Sequence, residues 1–148
     1  MAAVARTVPV STTPYPGASA TPLELLALAD EYRAAAALLD GLARPGQQCS
    51  RAPFRLAAIH AIELYLSAFL MSAGETAETI RSYGHNLAIR RERAIPHGLV
   101  LRLRTQAHLD LLSHKREYLV SRYGTDAMQD LSQPNRLAAT LTEVANKV

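Results

Sequence analysis

The sequence contains no tryptophan, two phenylalanines, six tyrosines and a single cysteine, Cys49. So few rings offer no evident platform on which successive single-stranded bases could stack. A lone cysteine cannot form an internal disulfide. Cys49 lies in the loop-forming stretch RPGQQCS without a histidine nearby, which favours an ordinary thiol over an activated nucleophile.

Several common catalytic signatures are also missing. The five histidines form neither an HExxH motif nor a Cys/His cluster, so we predict no metal site. No glycine-rich phosphate loop and no GxSxG elbow occur, and the acidic residues are scattered rather than paired for metal-dependent phosphate chemistry. We therefore expect the protein to use no cofactor.

The sequence also shows no pattern typical of membrane insertion or export. No positively charged and then apolar segment opens the chain, and no apolar run approaches the roughly 18 residues that a membrane span needs. We therefore expect a cytoplasmic protein with no membrane partner.

The composition favours one helical domain. Apolar residues make up 49% of the 148 residues, with alanine and leucine dominant, and a chain of this length can bury a core of its own. Residues 1–20 are rich in proline, glycine, serine and threonine and show no apolar periodicity. This predicts a flexible N-terminal tail, followed by a single domain over residues 21–148.

Apolar periodicity predicts four main helices. The first begins with a capping box, in which Thr21 is the N-cap, Pro22 takes the first helical position and Glu24 closes the box, and it ends at Gly41. The others are predicted at 53–73, 100–123 and 134–146, with short helical turns in ETAETIRSYG and HNLAIRRERAIPHG. No window alternates at period two and no repeat is visible. The predicted fold class is all-α, an up-and-down helical bundle of four main helices plus short helical insertions.

Two ionisable residues interrupt the apolar second helix. His60 and Glu63 are three residues apart and share a face of FRLAAIHAIELYLSAFLM. They can satisfy each other or a neighbouring helix end, because an unpaired buried polar group costs about 1–3 kcal/mol. Alternatively, they belong to a polar site between helices. We predict an interhelical polar cluster whose first role is structural.

Positive charge is concentrated between residues 81 and 104. This stretch has six arginines and one acid, Glu92, which gives it a net formal charge of +5. Such a segment attracts phosphates or acidic partners, although a solvated helix face has the same composition. The candidate binding residues are Arg81, His85, Arg90, Arg91, Arg93 and Arg104.

The order of these segments resembles the HEPN family, the small α-helical domains named for higher-eukaryote and prokaryote nucleotide binding. The resemblance rests on AIHAIELYLSAFLMSAG followed by IRSYGHNL, a basic helix and a long helix, and it covers about residues 21–124. Many relatives carry aspartate where this chain has Asn86. The resemblance implies a helical bundle that is commonly homodimeric, with His85 or Asn86 capping a helix and Leu87 turned inward.

The resemblance also implies one of two activities. Some HEPN proteins are metal-independent ribonucleases of toxin–antitoxin and phage-defence systems, so an antitoxin is one possible partner. Others lack the catalytic motif and bind nucleotides or act as partners of nucleotidyltransferases. The ribonucleases use an arginine, a polar residue, a few others and then a histidine, because the histidine handles the proton of the ribose 2′-hydroxyl and the arginine stabilises phosphate charge.

That motif is missing from its expected place. No histidine follows Arg116 or Arg122, and the pairs with suitable spacing have no uncharged polar residue after the arginine. Arg102 and His108 are the best remaining catalytic candidates. We therefore favour a non-enzymatic module that binds a nucleotide, RNA or a partner protein through the basic segment. A ribonuclease with a degenerate motif and a structural homodimer without ligand are the alternatives.

Overall fold

The computed structural model of the protein describes residues 12–148, and most of them are helical. Among these residues there is no β-strand, and the predicted all-α helical bundle is confirmed. Seven α-helices follow in the order α1 Pro22–Asp40, α2 Ala52–Ser72, α3 Ala77–Ser82, α4 Leu87–Ala94, α5 Leu103–His114, α6 Glu117–Tyr123 and α7 Pro134–Lys147.

The start of α1 follows the predicted capping box. The Thr21 hydroxyl accepts a hydrogen bond from the Glu24 backbone N–H at 3.3 Å, and the Glu24 carboxylate accepts one from the Thr21 backbone N–H at 2.7 Å. These two bonds satisfy N–H groups that a helix start leaves without partners. Gly41 is the C-cap, so the predicted end is also confirmed.

Helix α2 is the centre of the bundle and packs against α1, α4, α6 and α7. Ile62, Leu66 and Leu70 are fully buried. Because neighbours cover α2 on most sides, its sequence is apolar nearly all round instead of carrying a single stripe. Each of these aliphatic side chains contributes about 1.5–3 kcal/mol through burial.

One segment, Gln48–Ser72, is long and apolar enough to span a membrane by length and composition, so the sequence-based statement that no such run exists is wrong. The segment consists of a 3₁₀ turn, Gln48–Arg51, and α2. Of its apolar window, 72% is buried inside the bundle. The core helix of a globular fold passes the same test.

The predicted helix over residues 100–123 is wrong, because the chain forms two helices there. Helix α5 starts at Leu103, and α6 starts at Glu117 after a break at Arg116. Arg116 has φ 50° and ψ 45°, a left-handed conformation that costs about 1–2 kcal/mol for a residue other than glycine. The break lets Glu117 enter the core, where it pairs with Arg55.

The predicted tail, residues 1–20, is only partly described. Positions 1–11 lie outside the described residues. From residue 12 to residue 20 the chain forms turns instead of helix, and the Arg81 guanidinium lies 4.3 Å from the centroid of the Tyr15 ring. The N-terminal segment therefore reaches α3.

Candidate functional site

Glu63 is the centre of a polar cluster that joins α2 to the α4 region. One of its carboxylate oxygens lies 3.0 Å from Nδ1 of His85, and the other lies 3.6 Å from Nη2 of Arg90. His60 does not join these bonds. Its ring packs edge-on against Tyr32 of α1 at 4.4 Å between centroids, and burial lowers its pKa while Glu63 opposes this shift. Glu63 therefore pairs with Arg90 and His85, which belong to other segments, instead of with His60.

Arg90 is a structural cation, and its prediction as a binding residue is wrong. It is only 3% exposed. Its guanidinium donates to the Ser67 hydroxyl at 3.1 Å and to the backbone carbonyls of Asn86 at 3.3 Å and Ile80 at 3.4 Å. Burial lowers the pKa of Arg90, and the Glu63 carboxylate opposes this shift. Arg90 therefore ties α2, α3 and α4 together and faces no ligand.

His85 presents one ring nitrogen to the outside. An ionised carboxylate can only accept hydrogen bonds, so Glu63 holds the tautomer in which Nδ1 carries the proton. Nε2 then has a lone pair, and within residues 12–148 it makes no hydrogen bond. The side chain is 42% exposed, and its ring lies 4.9 Å from that of Tyr118. Glu63 thus orients the His85 ring, and Nε2 remains available for a hydrogen bond to a ligand.

The neighbouring Asn86 performs the capping role that the family resemblance implies. Its side-chain oxygen accepts a hydrogen bond from the Ile89 backbone N–H at 3.0 Å, which starts α4, and Leu87 is buried. This cap fixes the backbone next to His85. The position of the imidazole therefore depends on a local helix start as well as on Glu63.

A cavity of about 300 Å³ opens beside this histidine, and we call it the corner cavity. It lies where the break between α5 and α6 meets the start of α4. Arg116, the left-handed residue at the break, lines it, and within residues 12–148 Arg116 has no ion-pair partner. The lining residues are Tyr83, Gly84, His85, Asn86, Ser113, Arg116 and Tyr118.

The corner cavity combines a cation, an oriented imidazole, hydroxyl and amide groups, and two tyrosine rings. An arginine guanidinium matches the geometry of phosphate oxygens, and an imidazole can donate to or accept from the same ligand. A second depression of about 340 Å³ shares Arg116 with it and is also lined by Lys115 and Tyr123. The corner cavity and this depression together form a basic surface that is larger than one small ligand.

The remaining predicted binding residues do not form one basic surface. Arg91 pairs with Asp110 at 2.9 Å, and Arg93 pairs with Glu75 at 3.0 Å, so both charges are balanced locally. Arg81 is exposed beside Tyr15. Arg104 is exposed at a separate cavity of about 200 Å³ on α7. The +5 segment is therefore dispersed over several faces.

The predicted catalytic pair Arg102–His108 does not form a site. His108 is 5% exposed and faces α7, where its Nδ1 lies 2.7 Å from the Thr140 hydroxyl. Arg102 is exposed at the start of α5, and its backbone N–H donates to Glu143 at 2.8 Å. Burial first, and then the charges of Arg136 and Arg55, lower the pKa of His108 to about 4. An RNA strand cannot reach this imidazole.

The same burial predicts a pH dependence of stability. His108 has a pKa of about 4 in the folded state and about 6.5 when unfolded, so between these values only the unfolded chain takes up the proton. The free energy of unfolding should therefore fall by about 2–3 kcal/mol through this group as the pH drops from 7.5 to 4.5. Urea unfolding of the wild type and of His108→Gln at both pH values measures it. A wild-type protein that loses no more stability than the variant would contradict this account.

Two further observations bear on the class of protein. Within residues 12–148, no group of three His, Cys, Asp or Glu side chains lies close enough together to hold a metal ion. Comparisons of the chain with protein-family models, with curated proteins and with solved structures find no match. The class of protein therefore rests on the fold and the corner cavity alone: it is an all-α bundle with a polar, partly cationic cavity.

Sequence reasoning missed Arg116 and Tyr118. No histidine follows Arg116 in the sequence, yet His85 lines the same cavity from another segment. A left-handed break is normally marked by glycine or asparagine, and Lys115–Arg116 carries neither. No local signal in the sequence therefore marks the break.

Proposed function

We propose that the protein is a non-enzymatic, HEPN-like module that binds the phosphate group of a nucleotide or of RNA in the corner cavity. One observation carries this proposal: Arg116 and the oriented His85 line one cavity, and neither the Arg116 charge nor His85 Nε2 has a partner within residues 12–148. The cavity, at about 300 Å³, lies at the lower end of the range for small-molecule sites.

The charge balance around the cavity supports an anionic ligand. Among residues 12–148, the only carboxylate that contacts His85 is Glu63, whose second oxygen is directed to the buried Arg90. Glu63 therefore orients the imidazole without neutralising Arg116. The rings of Tyr83 and Tyr118 add an aromatic wall, against which a base attached to the phosphate can pack.

Removal of the cation tests the proposal. We expect Arg116→Gln to weaken binding of adenosine monophosphate and of a short RNA by about tenfold or more, since a charge-assisted hydrogen bond contributes about 1.5–3 kcal/mol. Calorimetric titration measures both affinities. Arg122→Gln is the matched control, because Arg122 is exposed on α6 and lines neither the corner cavity nor the depression beside it. Equal affinities of the two variants would overturn the proposal.

Metal-independent cleavage of RNA is a second candidate, favoured by the bond between Glu63 and His85. A carboxylate on Nδ1 leaves Nε2 as a general base, as a ribonuclease requires. The base would take the 2′-hydroxyl proton while the 2′-oxygen attacks phosphorus, and the 5′-oxygen would leave with a proton from solvent, giving a 2′,3′-cyclic phosphate. Incubation of the same RNA with His85→Ala and with His114→Ala, an exposed histidine outside the cavity, separates the candidates. Cleavage lost only with His85→Ala would establish the enzyme.

We also propose a second copy of the chain as a partner. The outward face of α1 exposes Leu23, Ala27, Ala34 and Leu38, with Leu42 just beyond it. Exposed apolar side chains along one face of a helix are a common feature of homodimer interfaces. Leu38→Glu is expected to convert the dimer to a monomer in sedimentation analysis. A wild-type protein that sediments as a monomer at all concentrations would contradict the dimer.

A further inference from the structure

A second cationic cavity lies at the start of α2, and the proposed function makes no use of it. It has a volume of about 190 Å³ and lies where the start of α2 meets the start of α7. Two arginines of the α2 start, Arg51 and Arg55, line it together with glutamine side chains. The lining residues are Gln48, Arg51, Arg55, Met128, Gln129, Leu131, Ser132, Gln133 and Pro134.

Arg55 is buried, yet most of its hydrogen-bonding capacity is unused. It is 4% exposed, and its single hydrogen bond within the described residues joins Nη1 to Glu117 at the long distance of 3.4 Å. A guanidinium has five N–H donors. The remaining donors therefore have no protein acceptor among residues 12–148, although the side chain lines the cavity.

The carboxylate partner is directed elsewhere. Glu117 is fully buried and accepts hydrogen bonds from the backbone N–H of Ser132 at 2.7 Å and from its hydroxyl at 3.2 Å. Its negative charge is thus shared with the segment that precedes α7. Among the described residues, Glu117 forms an ion pair with Arg55 and none with Arg51.

The second arginine leaves the cavity with an unbalanced positive charge. Arg51 is half-buried and has no ion pair within the described residues. Burial lowers the pKa of Arg55, Glu117 opposes this shift, and Arg51 lowers that pKa further. Two guanidinium groups that repel each other at one cavity are stabilised by an anion between them.

The N-terminal ends of two long helices add to the positive potential at this cavity. Helix α2 has 21 residues and α7 has 14, and neither N-cap makes a side-chain capping hydrogen bond. The positive ends of both helix dipoles therefore point toward the region of the two arginines. This contribution supports the arginine pair and does not replace it.

We propose that this cavity, which we call the α2/α7 cavity, binds a phosphate group through Arg51 and Arg55. The volume is below the range of sites that enclose a whole small molecule, so the cavity accepts the phosphate and leaves the remainder of any larger ligand outside. The amide groups of Gln48, Gln129 and Gln133 supply further donors. Free phosphate and the terminal phosphate of a nucleotide are the two sources of this group.

Titration of the full-length protein with inorganic phosphate tests the proposal, with thermal unfolding and calorimetry as readouts at constant ionic strength. We expect phosphate to raise the melting temperature and Arg51→Gln to weaken phosphate binding by about tenfold or more. Arg122→Gln changes the net charge equally and should bind as the wild type does. Arg116→Gln should also retain this binding, which keeps the α2/α7 cavity distinct from the corner cavity.

A nucleotide arm identifies the source of the phosphate. The affinities of the Arg116→Gln variant for adenosine monophosphate and for inorganic phosphate are compared. Tighter binding of adenosine monophosphate indicates that the cavity takes the phosphate of a nucleotide. Equal affinities indicate that it takes free phosphate. Arg55→Lys keeps the charge but loses the planar fork, so a folded variant should also bind phosphate more weakly. No binding of phosphate by the wild type, or equal binding by the wild type and Arg51→Gln, would overturn the proposal.

Discussion

Replacement of Glu117 with glutamine is expected to lower the free energy of unfolding by about 3–5 kcal/mol, because it leaves a charged guanidinium buried without a counter-ion. Glu117 is 0% exposed, and Arg55 beside it is nearly so. Equilibrium unfolding in urea measures the effect. Asp110→Asn provides the comparison, since its carboxylate pairs with Arg91 at a half-exposed position and should change stability by only about 0–1 kcal/mol.

The double variant Arg55→Met/Glu117→Leu separates pairing from packing. Removal of both charges with side chains of similar volume is often neutral or stabilising, so the double variant should recover most of the stability that Glu117→Gln loses. It should also lose phosphate binding at the α2/α7 cavity. A single Glu117→Gln variant as stable as Asp110→Asn would contradict the buried ion pair.

A similarly large loss is expected for Arg90→Gln. Arg90 holds Glu63, the Ser67 hydroxyl and two backbone carbonyls of α3 and of the α4 start, and glutamine cannot reproduce this set. We expect about 3–5 kcal/mol of destabilisation, since Glu63 would keep only the partly exposed His85 as a partner. The change should also release His85 and weaken binding at the corner cavity.

The adjacent arginine is a strict control for this prediction. Arg91 pairs with Asp110 at the surface and follows Arg90 directly in the chain. Arg91→Gln should therefore change stability by about 0–1 kcal/mol, with binding unaffected. Urea unfolding of the two variants gives the comparison, and equal losses would show that Arg90 is not the structural cation of this cluster.

Local signals in the sequence were enough to predict much of the fold. The capping box at Thr21 and the stop at Gly41 depend on residues within a few positions of each other, and both are present. The apolar character of FRLAAIHAIELYLSAFLM likewise predicted the second helix, which the structure has at Ala52–Ser72. These features are local because backbone hydrogen bonds at helix ends are satisfied by nearby side chains.

The site depended on contacts between distant segments, which a sequence pattern does not contain. Arg90 and Arg91 are adjacent arginines in the sequence. Arg90 is buried beside Glu63, whereas Arg91 pairs with the half-exposed Asp110. The break at Arg116 carries no glycine, and directly after it Glu117 pairs with Arg55, 62 residues earlier in the chain. The clustering of arginines between 81 and 104 therefore overstated the basic surface, and the corner cavity could not be anticipated.

The most direct test of the proposed binding at the corner cavity is an NMR titration of the histidine side chains with adenosine monophosphate, with adenosine as the control for the phosphate group. Signals of the His85 imidazole should shift with the nucleotide and not with adenosine, while those of the buried His108 should not move. If the His85 signals did not change at saturating nucleotide, the corner cavity would not be the phosphate site.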